Sequence, residues 1–273
     1  MTCRPEGQKS GRDLKRNIAV HNRLARNYEK IHGEIFNELE QARLRSLLER
    51  ALAEVRSANG VVEALDFGCG SGNLTSHLLA LGAEVTAADV ATGFLELVRE
   101  RYPGSRLETH ELNGRDLCEL EDQSFDLIAT YSVLHHIPDY LSACAEMARV
   151  CRKGGVVLID HEASPNVWKN DELLARFRRE ASRLDWRKYV EPANYVHRFK
   201  RLFDNRYSNE GDIHVWPDDH IEWDAVVDVM QVSGCLPVLQ EDYLLYRKLY
   251  RMEVYDRFSG RCFDTRAMIF RRG

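Results

Sequence analysis

The sequence has no Cys-x-x-Cys pair, no apolar run longer than four residues, and only 7 prolines in 273 positions. Each shortage excludes something. Seven cysteines, odd in number and scattered from Cys3 to Cys262, argue against a zinc knuckle or a disulfide framework and predict free thiols. Without about 20 consecutive apolar residues, no segment reads as a membrane helix. The first thirty residues hold no apolar signal-peptide core, so the expectation is a cytoplasmic chain with no membrane partner. No HExxH-type spacing occurs, so no metal is expected.

What is present suits a folded globular chain. Hydrophobic residues make up 44% and charged residues 30%, which excludes disordered and collagen-like chains. The formal charge of −5 is unevenly spread. Residues 61–163 carry 7 basic against 17 acidic side chains, whereas residues 1–60 carry 12 against 8. An acidic middle opposes a phosphate backbone lying across it, so no nucleic-acid partner is expected. The basic flanks suit an anionic small substrate, or simply a solvated surface.

Residues 61–162 alternate short apolar strands with helical stretches. VVEALDF (61–67), AEVTAADV (83–90), RLETHEL (106–112), SFDLIATYS (124–132) and VVLIDHEA (156–163) read as strands. Helices are predicted at 73–81, 91–102 and 140–153. Strands apolar on both faces, separated by helices, indicate a parallel α/β sheet covered on both sides. Two helices, about 12–32 and 37–57, precede this block. Residues 220–234 read as a last helix, and 236–247 and 264–270 as two strands joined by a long loop. The expected organisation is a helical cap (1–57), a core (58–163 and 220–273) and an inserted lid (164–219).

Leu65-Asp66-Phe67-Gly68-Cys69-Gly70-Ser71-Gly72-Asn73 falls where the first strand turns into its helix. Glycines there permit torsions closed to other residues and let a ligand approach the main chain. Asp89, closing the second strand, can accept both hydroxyls of a ribose. A dinucleotide site wants G-x-G-x-x-G, but position 73 is Asn. A carboxylate at Asp66 would repel a pyrophosphate, whereas it suits a ligand carrying an ammonium group.

ALDFGCGSGNLTSHLLALGAEVTAADV closely resembles the first two motifs of class I S-adenosylmethionine-dependent methyltransferases, of the type acting on small molecules. DQSFDLIATYSVLHHIPD (122–139) and MARVCRKGGVVLIDHE (147–162) resemble the family's fourth- and fifth-strand motifs. The resemblance implies a Rossmann-like seven-stranded sheet of order 3-2-1-4-5-7-6, with strand 7 antiparallel. It implies S-adenosyl-L-methionine as cofactor and S-adenosyl-L-homocysteine as product. Gly68 and Gly70 would pass close to the cofactor, Asp66 would bind its ammonium, and Asp89 its ribose. Leu112 would pack on the adenine, with Asn113, or failing that Asp116, bonding the adenine amine. Thr130 to Ser132 would face the sulfonium, and Tyr28 would cover the cofactor.

Methyl transfer needs alignment, exclusion of water and, for a hydroxyl or protonated amine, a base. His135 and His136 follow strand four, and one of them is expected to face the crevice. Tyr131 is a candidate substrate-facing residue; the Asn-Pro-Pro-aromatic motif of amino-group methyltransferases is absent there. His161, at the end of strand five, and His220, in DIHVWPDDHIEW, are further candidate bases. Asp218 or Asp219 is a candidate cap for the last helix. The lid arginines Arg176, Arg178, Arg179, Arg183, Arg187, Arg198 and Arg201 could meet an anionic group. The expected function is methylation of an O or N atom of a sugar, lipid or secondary-metabolite precursor. Methylation of RNA or protein, an NAD-dependent oxidoreductase and a non-catalytic cofactor-binding protein stand as rivals.

Overall fold

The computed structural model describes residues 18–19, 21–23, 25, 28–56, 60–169, 171–181 and 212–273. Most of the predicted lid, including Arg183, Arg187, Arg198 and Arg201, therefore lies outside the described residues. So does about half of the predicted helix at 12–32, of which the turn α1 (Tyr28–Ile31) is described.

Seven strands form one sheet: β1 (Glu63–Phe67), β2 (Glu84–Asp89), β3 (Leu107–Glu111), β4 (Phe125–Tyr131), β5 (Cys151–Ala163), β6 (Cys235–Tyr243) and β7 (Thr265–Arg272). Their order is β3-β2-β1-β4-β5-β7-β6. β7 runs antiparallel to both of its neighbours, and the pairings among β1 to β5 are parallel. This is the expected Rossmann-like order. The chain reverses direction across the sheet between β1 and β4, so the ligand crevice of such a fold opens beyond the carboxyl ends of those two strands.

The alternation of apolar side chains along the strands feeds two cores. Leu65, Ile128, Val157 and Ile159 pack on α5 (Tyr140–Val150) and α7 (Trp223–Val232). Ala64, Leu127, Val156 and Leu158 face α2 (Glu38–Glu54) and α3 (Asn73–Ala80). α2 begins where Asn37 accepts a hydrogen bond from the Glu40 amide at 3.1 Å. α4 (Thr92–Arg101) covers β2 through Leu95 and Val98.

Three elements differ from the sequence reading. α5 ends at Val150 rather than near 153, because Cys151 already pairs with Phe125 of β4. The long loop before β7 contains a helix, α8 (Met252–Phe258), which packs on α6 (Glu172–Ala181) through Phe177 and Phe258. The last helix is preceded by Glu222, with no side-chain cap, while Asp219 bonds His214 instead. Five described cysteines are free and buried as expected, but Cys118 is disulfide-bonded.

α2 is tied to the sheet by a buried ionic cluster. Arg43 Nε donates to Glu40 at 2.9 Å, and its Nη2 donates to Glu40 at 2.5 Å and to Asp160 at 2.8 Å. Tyr131 donates to Glu40 at 2.8 Å and Tyr243 to Asp160 at 3.2 Å. The Arg43 guanidinium lies 3.8 Å above the Tyr243 ring. Burial is the largest influence on Glu40 and opposes its ionisation, yet the hydrogen bonds and charges of Arg43 and His161 together outweigh it and lower the carboxyl to about 2. Asp160 is wholly buried, and burial pushes its carboxyl above the usual range despite Arg43. Replacing Arg43 by Met leaves two buried carboxylates without their cation, at a cost of about 3–5 kcal/mol. Urea denaturation should show that loss in Arg43→Met, and adding Glu40→Gln to it should recover part.

Candidate active site

The turn after β1 forms the floor of a cavity at the carboxyl edge of the sheet. The amides of Gly68 and Cys69 both donate to the Ala88 carbonyl, at 2.8 and 3.0 Å, which folds the turn back over β2. That path needs a positive φ of 76° at Gly68. A Cβ there would sit 2.5 Å from Val133, so glycine is required both by torsion and by space. At Gly70, also of positive φ, a Cβ would meet nothing within 4 Å, so the turn is open to a ligand on that side.

Asp66 and Asp89 are the two buried carboxylates on this floor. Asp66 accepts a 2.6 Å hydrogen bond from Thr75 on one oxygen, and its Oδ1 has no partner among the described residues. Burial, aided by the Asp89 charge and opposed by Thr75, pushes the Asp66 carboxyl up to about 7. Asp89 accepts from the amides of Gly70 at 3.0 Å and Ala91 at 2.8 Å, and burial pushes it up to about 6. An unpartnered buried carboxylate oxygen facing a cavity is a place for a cation, and it fits the ammonium of S-adenosylmethionine.

The walls are apolar. Tyr28 and Phe94 meet edge to face at 5.4 Å, and Leu112 and Val133 complete the lining around them. Tyr131 and Ser132, at the end of β4, also line the cavity. Thr130 does not; it is 1% exposed and turned into the sheet. Asn113 is likewise off the wall. Its side chain accepts from the amides of Arg115 and Asp116, at 2.7 and 3.1 Å, and so builds the turn, whereas Asp116 lines the cavity. Of the two, Asp116 is the one on the cavity wall.

Of the paired histidines, His136 lines the cavity and His135 stacks behind it, ring centroids 4.1 Å apart. The 3₁₀ turn that carries them, Leu134–His136, is organised by Glu162, which is 1% exposed. Glu162 accepts from the amides of Val133 and Leu134, at 2.9 and 2.7 Å, and bonds Nδ1 of His135 at 2.8 Å. A strap from the far end of the insert closes over the turn. The amides of Ile213 and His214 both donate to the His135 carbonyl, at 2.9 and 3.1 Å, and His214 Nε2 bonds the Ile137 carbonyl at 3.0 Å. This places Asp212 Oδ1 3.4 Å from Nδ1 of His136. His21, which also lines the cavity, meets His136 edge to face at 5.1 Å, and burial pushes its imidazole down to about 4.

Two other expected bases lie elsewhere. His161 stacks on the outer side of Tyr131, 4.4 Å between centroids, within the Glu40–Arg43–Asp160 cluster. His220 stacks on Trp168 at 4.8 Å, near Glu222, and does not line the cavity. Among the described lid arginines, Arg176 is paired with Glu180 at 2.6 Å. Sequence reading singled out neither Glu162 nor Asp212 as site residues. A carboxylate near the end of strand five, in Asp160-His161-Glu162, was the signal for Glu162, and Asp212 became legible only through the strap.

Residues 65–159 match a family described as "Methyltransferase domain". Demethylmenaquinone methyltransferase of Staphylococcus aureus (strain MRSA252) is 31% identical over 160 residues, covering 57% of this chain and 65% of that protein. The chain therefore matches just under two thirds of that relative's length. The fold is shared with Burkholderia thailandensis 1,6-didemethyltoxoflavin-N1-methyltransferase, solved with its substrate and S-adenosylhomocysteine (TM-score 0.56, 15% identity, 100% and 93% coverage). It is also shared with the magnesium protoporphyrin IX methyltransferase of Synechocystis PCC 6803 (TM-score 0.56, 11% identity, 94% and 100% coverage). Residues 65–159 thus match a methyltransferase domain, and the sheet has the Rossmann-like fold of the solved methyltransferases it resembles.

Gly68→Ala should cost about 1–3 kcal/mol of stability, from overpacking against Val133 and a left-handed backbone. Thermal denaturation checks this, with Gly82→Ala, also of positive φ but with open space around it, as the torsion-only control.

Proposed function

We propose that this protein transfers a methyl group from S-adenosylmethionine to an oxygen or nitrogen of a small molecule, releasing S-adenosylhomocysteine. The observation that carries the reading is the unpartnered Asp66 oxygen on the floor of a mostly apolar cavity that His136 also lines. The named relatives support the acceptor class: they are named for demethylmenaquinone, 1,6-didemethyltoxoflavin and magnesium protoporphyrin IX, all small molecules. No helix among the described residues is long and apolar enough to cross a membrane.

The sulfonium of the cofactor supplies the electrophilic methyl. Asp66 receives the ammonium end, Asp89 the ribose, Leu112 and Asp116 the adenine, and Gly68 and Gly70 admit the ligand to the backbone. Tyr28 and Phe94 exclude water. Tyr131, fixed by Glu40 and His161, forms the acceptor-side wall. His136 takes the acceptor's proton on Nε2, because the Asp212 carboxylate beside Nδ1 favours the tautomer with its proton there. His135, locked by Glu162, holds the turn in register. Such a base contributes about 10²–10⁴ in rate.

Two outcomes test this. His136→Asn should lower kcat about 10²–10⁴-fold toward a hydroxyl acceptor while leaving S-adenosylhomocysteine affinity unchanged, with partial recovery at alkaline pH where the acceptor ionises unaided. Asp66 titrates at about 7 in the ligand-free fold, above its unfolded value. The ligand-free protein should therefore lose stability as pH rises from about 4 to about 7, since ionisation is disfavoured in the folded state. Affinity for S-adenosylhomocysteine should run the other way, rising roughly tenfold from pH 5.5 to 8 as Asp66 ionises to meet the ammonium. Calorimetry across that range checks it, and Asp66→Asn should flatten the profile.

A further inference from the structure

His135 and His136 of the 3₁₀ turn and Asp212 of the strap each offer one ligand atom, and these atoms lie within 4.8 Å of one another. Nε2 of His135 is 3.9 Å from Asp212 Oδ1, and Nδ1 of His136 is 3.4 Å from the same oxygen. Tetrahedral zinc, with bonds of about 2.0–2.1 Å, sets its ligand atoms about 3.3 Å apart, so side-chain rotations of about 1 Å close the set. The three groups are partly buried, with side-chain exposures of 16%, 13% and 22%. Their backbone is fixed by the two amide bonds from the strap to the His135 carbonyl. The outer partner that metal-bound histidine commonly uses is also in place: Glu162 takes Nδ1 of His135 at 2.8 Å and leaves Nε2 as the ligand atom.

We propose that His135, His136 and Asp212 form a binding site for a divalent transition-metal ion, of which Zn²⁺ is the type, and that its occupancy switches methyl transfer off. Two imidazoles and one carboxylate suit Zn²⁺ or Co²⁺ and not Mg²⁺ or Ca²⁺, which require mostly oxygen donors. The inhibitory part rests on the reading of His136 as the base. A neutral imidazole has one lone pair for two nitrogens. A metal on Nδ1 of His136 confines the ring proton to Nε2, which then has no lone pair to accept the acceptor's proton. It also withdraws Asp212 from its place as the tautomer-setting carboxylate. Three protein ligands leave a position for water, so the ion exchanges with the medium rather than being sealed in.

The test uses the full chain stripped with EDTA. Calorimetry with ZnCl₂, and the visible absorption of added Co²⁺, should report one ion per chain. Asp212→Asn and His135→Gln should each weaken binding at least tenfold, and Glu162→Gln should weaken it about 10–100-fold as a lost outer-shell partner does. Substoichiometric affinity changes in Cys144→Ser and Cys235→Ser should be nil, which separates this site from the thiols. Zn²⁺ should inhibit methyl transfer in proportion to occupancy, and EDTA should reverse it. Absence of binding, or binding undiminished in Asp212→Asn and His135→Gln, overturns the site. Binding at this site without inhibition overturns the switch and, with it, the role of His136 as base; a protein that binds Zn²⁺ here but shows no methyl transfer overturns the proposed function and leaves the site standing.

Discussion

One buried cation holds the carboxyl edge of this sheet together. Arg43 reaches from α2 into the space between Glu40 and Asp160, and the hydroxyls of Tyr131 and Tyr243 close the cluster from β4 and β6. Four elements far apart in sequence thus share one charge balance. In a low-dielectric interior such a cluster is costly to assemble and costlier to break. Its consequence for the site is positional. Tyr131 lines the ligand cavity with one face while its hydroxyl is held by Glu40 and its other face is covered by His161. The wall against which an acceptor would rest is therefore as rigid as the ionic core behind it.

The opposite wall is held differently. The histidine turn is anchored in the core by Leu134 and otherwise hung from a carboxylate, Glu162, and a strap, Asp212 to His214. Hydrogen bonds to backbone amides fix a turn without filling volume, which leaves room for a ligand beside it. The cavity thus joins a stiff wall at Tyr131 to a suspended one at the histidine turn. The suspended wall depends on a segment that arrives from the insert rather than from the sheet.

The sheet was legible in the sequence because burial on both faces leaves a simple trace: short, mostly apolar stretches separated by helical ones and punctuated by glycine. β1, β2, β3 and β4 fall within a residue or two of their expected bounds. The cofactor floor was legible for a related reason, since positive-φ glycines and the closing carboxylates of β1 and β2 are dictated by backbone geometry. The rest was not. α5 gave up its last turn because ladder pairing of Cys151 outcompeted helix propensity. Asn113 was drawn into its own turn by short-range amide bonds, a preference that competes with any ligand. Which of two adjacent histidines faces a cavity depends on partners 27 and 76 residues away, Glu162 and Asp212, and no local pattern carries that.

Between Ile159 and Glu162 the pairing of β5 with β7 slips, so that Asp160 and His161 together oppose Ala267. His161 absorbs the slip with a φ of +63°. In an unbroken strand, residues 160 and 162 would share a face. The extra residue sends Asp160 toward Arg43 and α2, and Glu162 through to the other side, under the histidine turn. One inserted residue therefore separates two carboxylates that would otherwise crowd and repel each other, and assigns each to a different half of the site. An indel at this point of strand five would act as a frame change in three dimensions: with every side chain retained, the protein would keep its sheet and exchange the wiring of its active site.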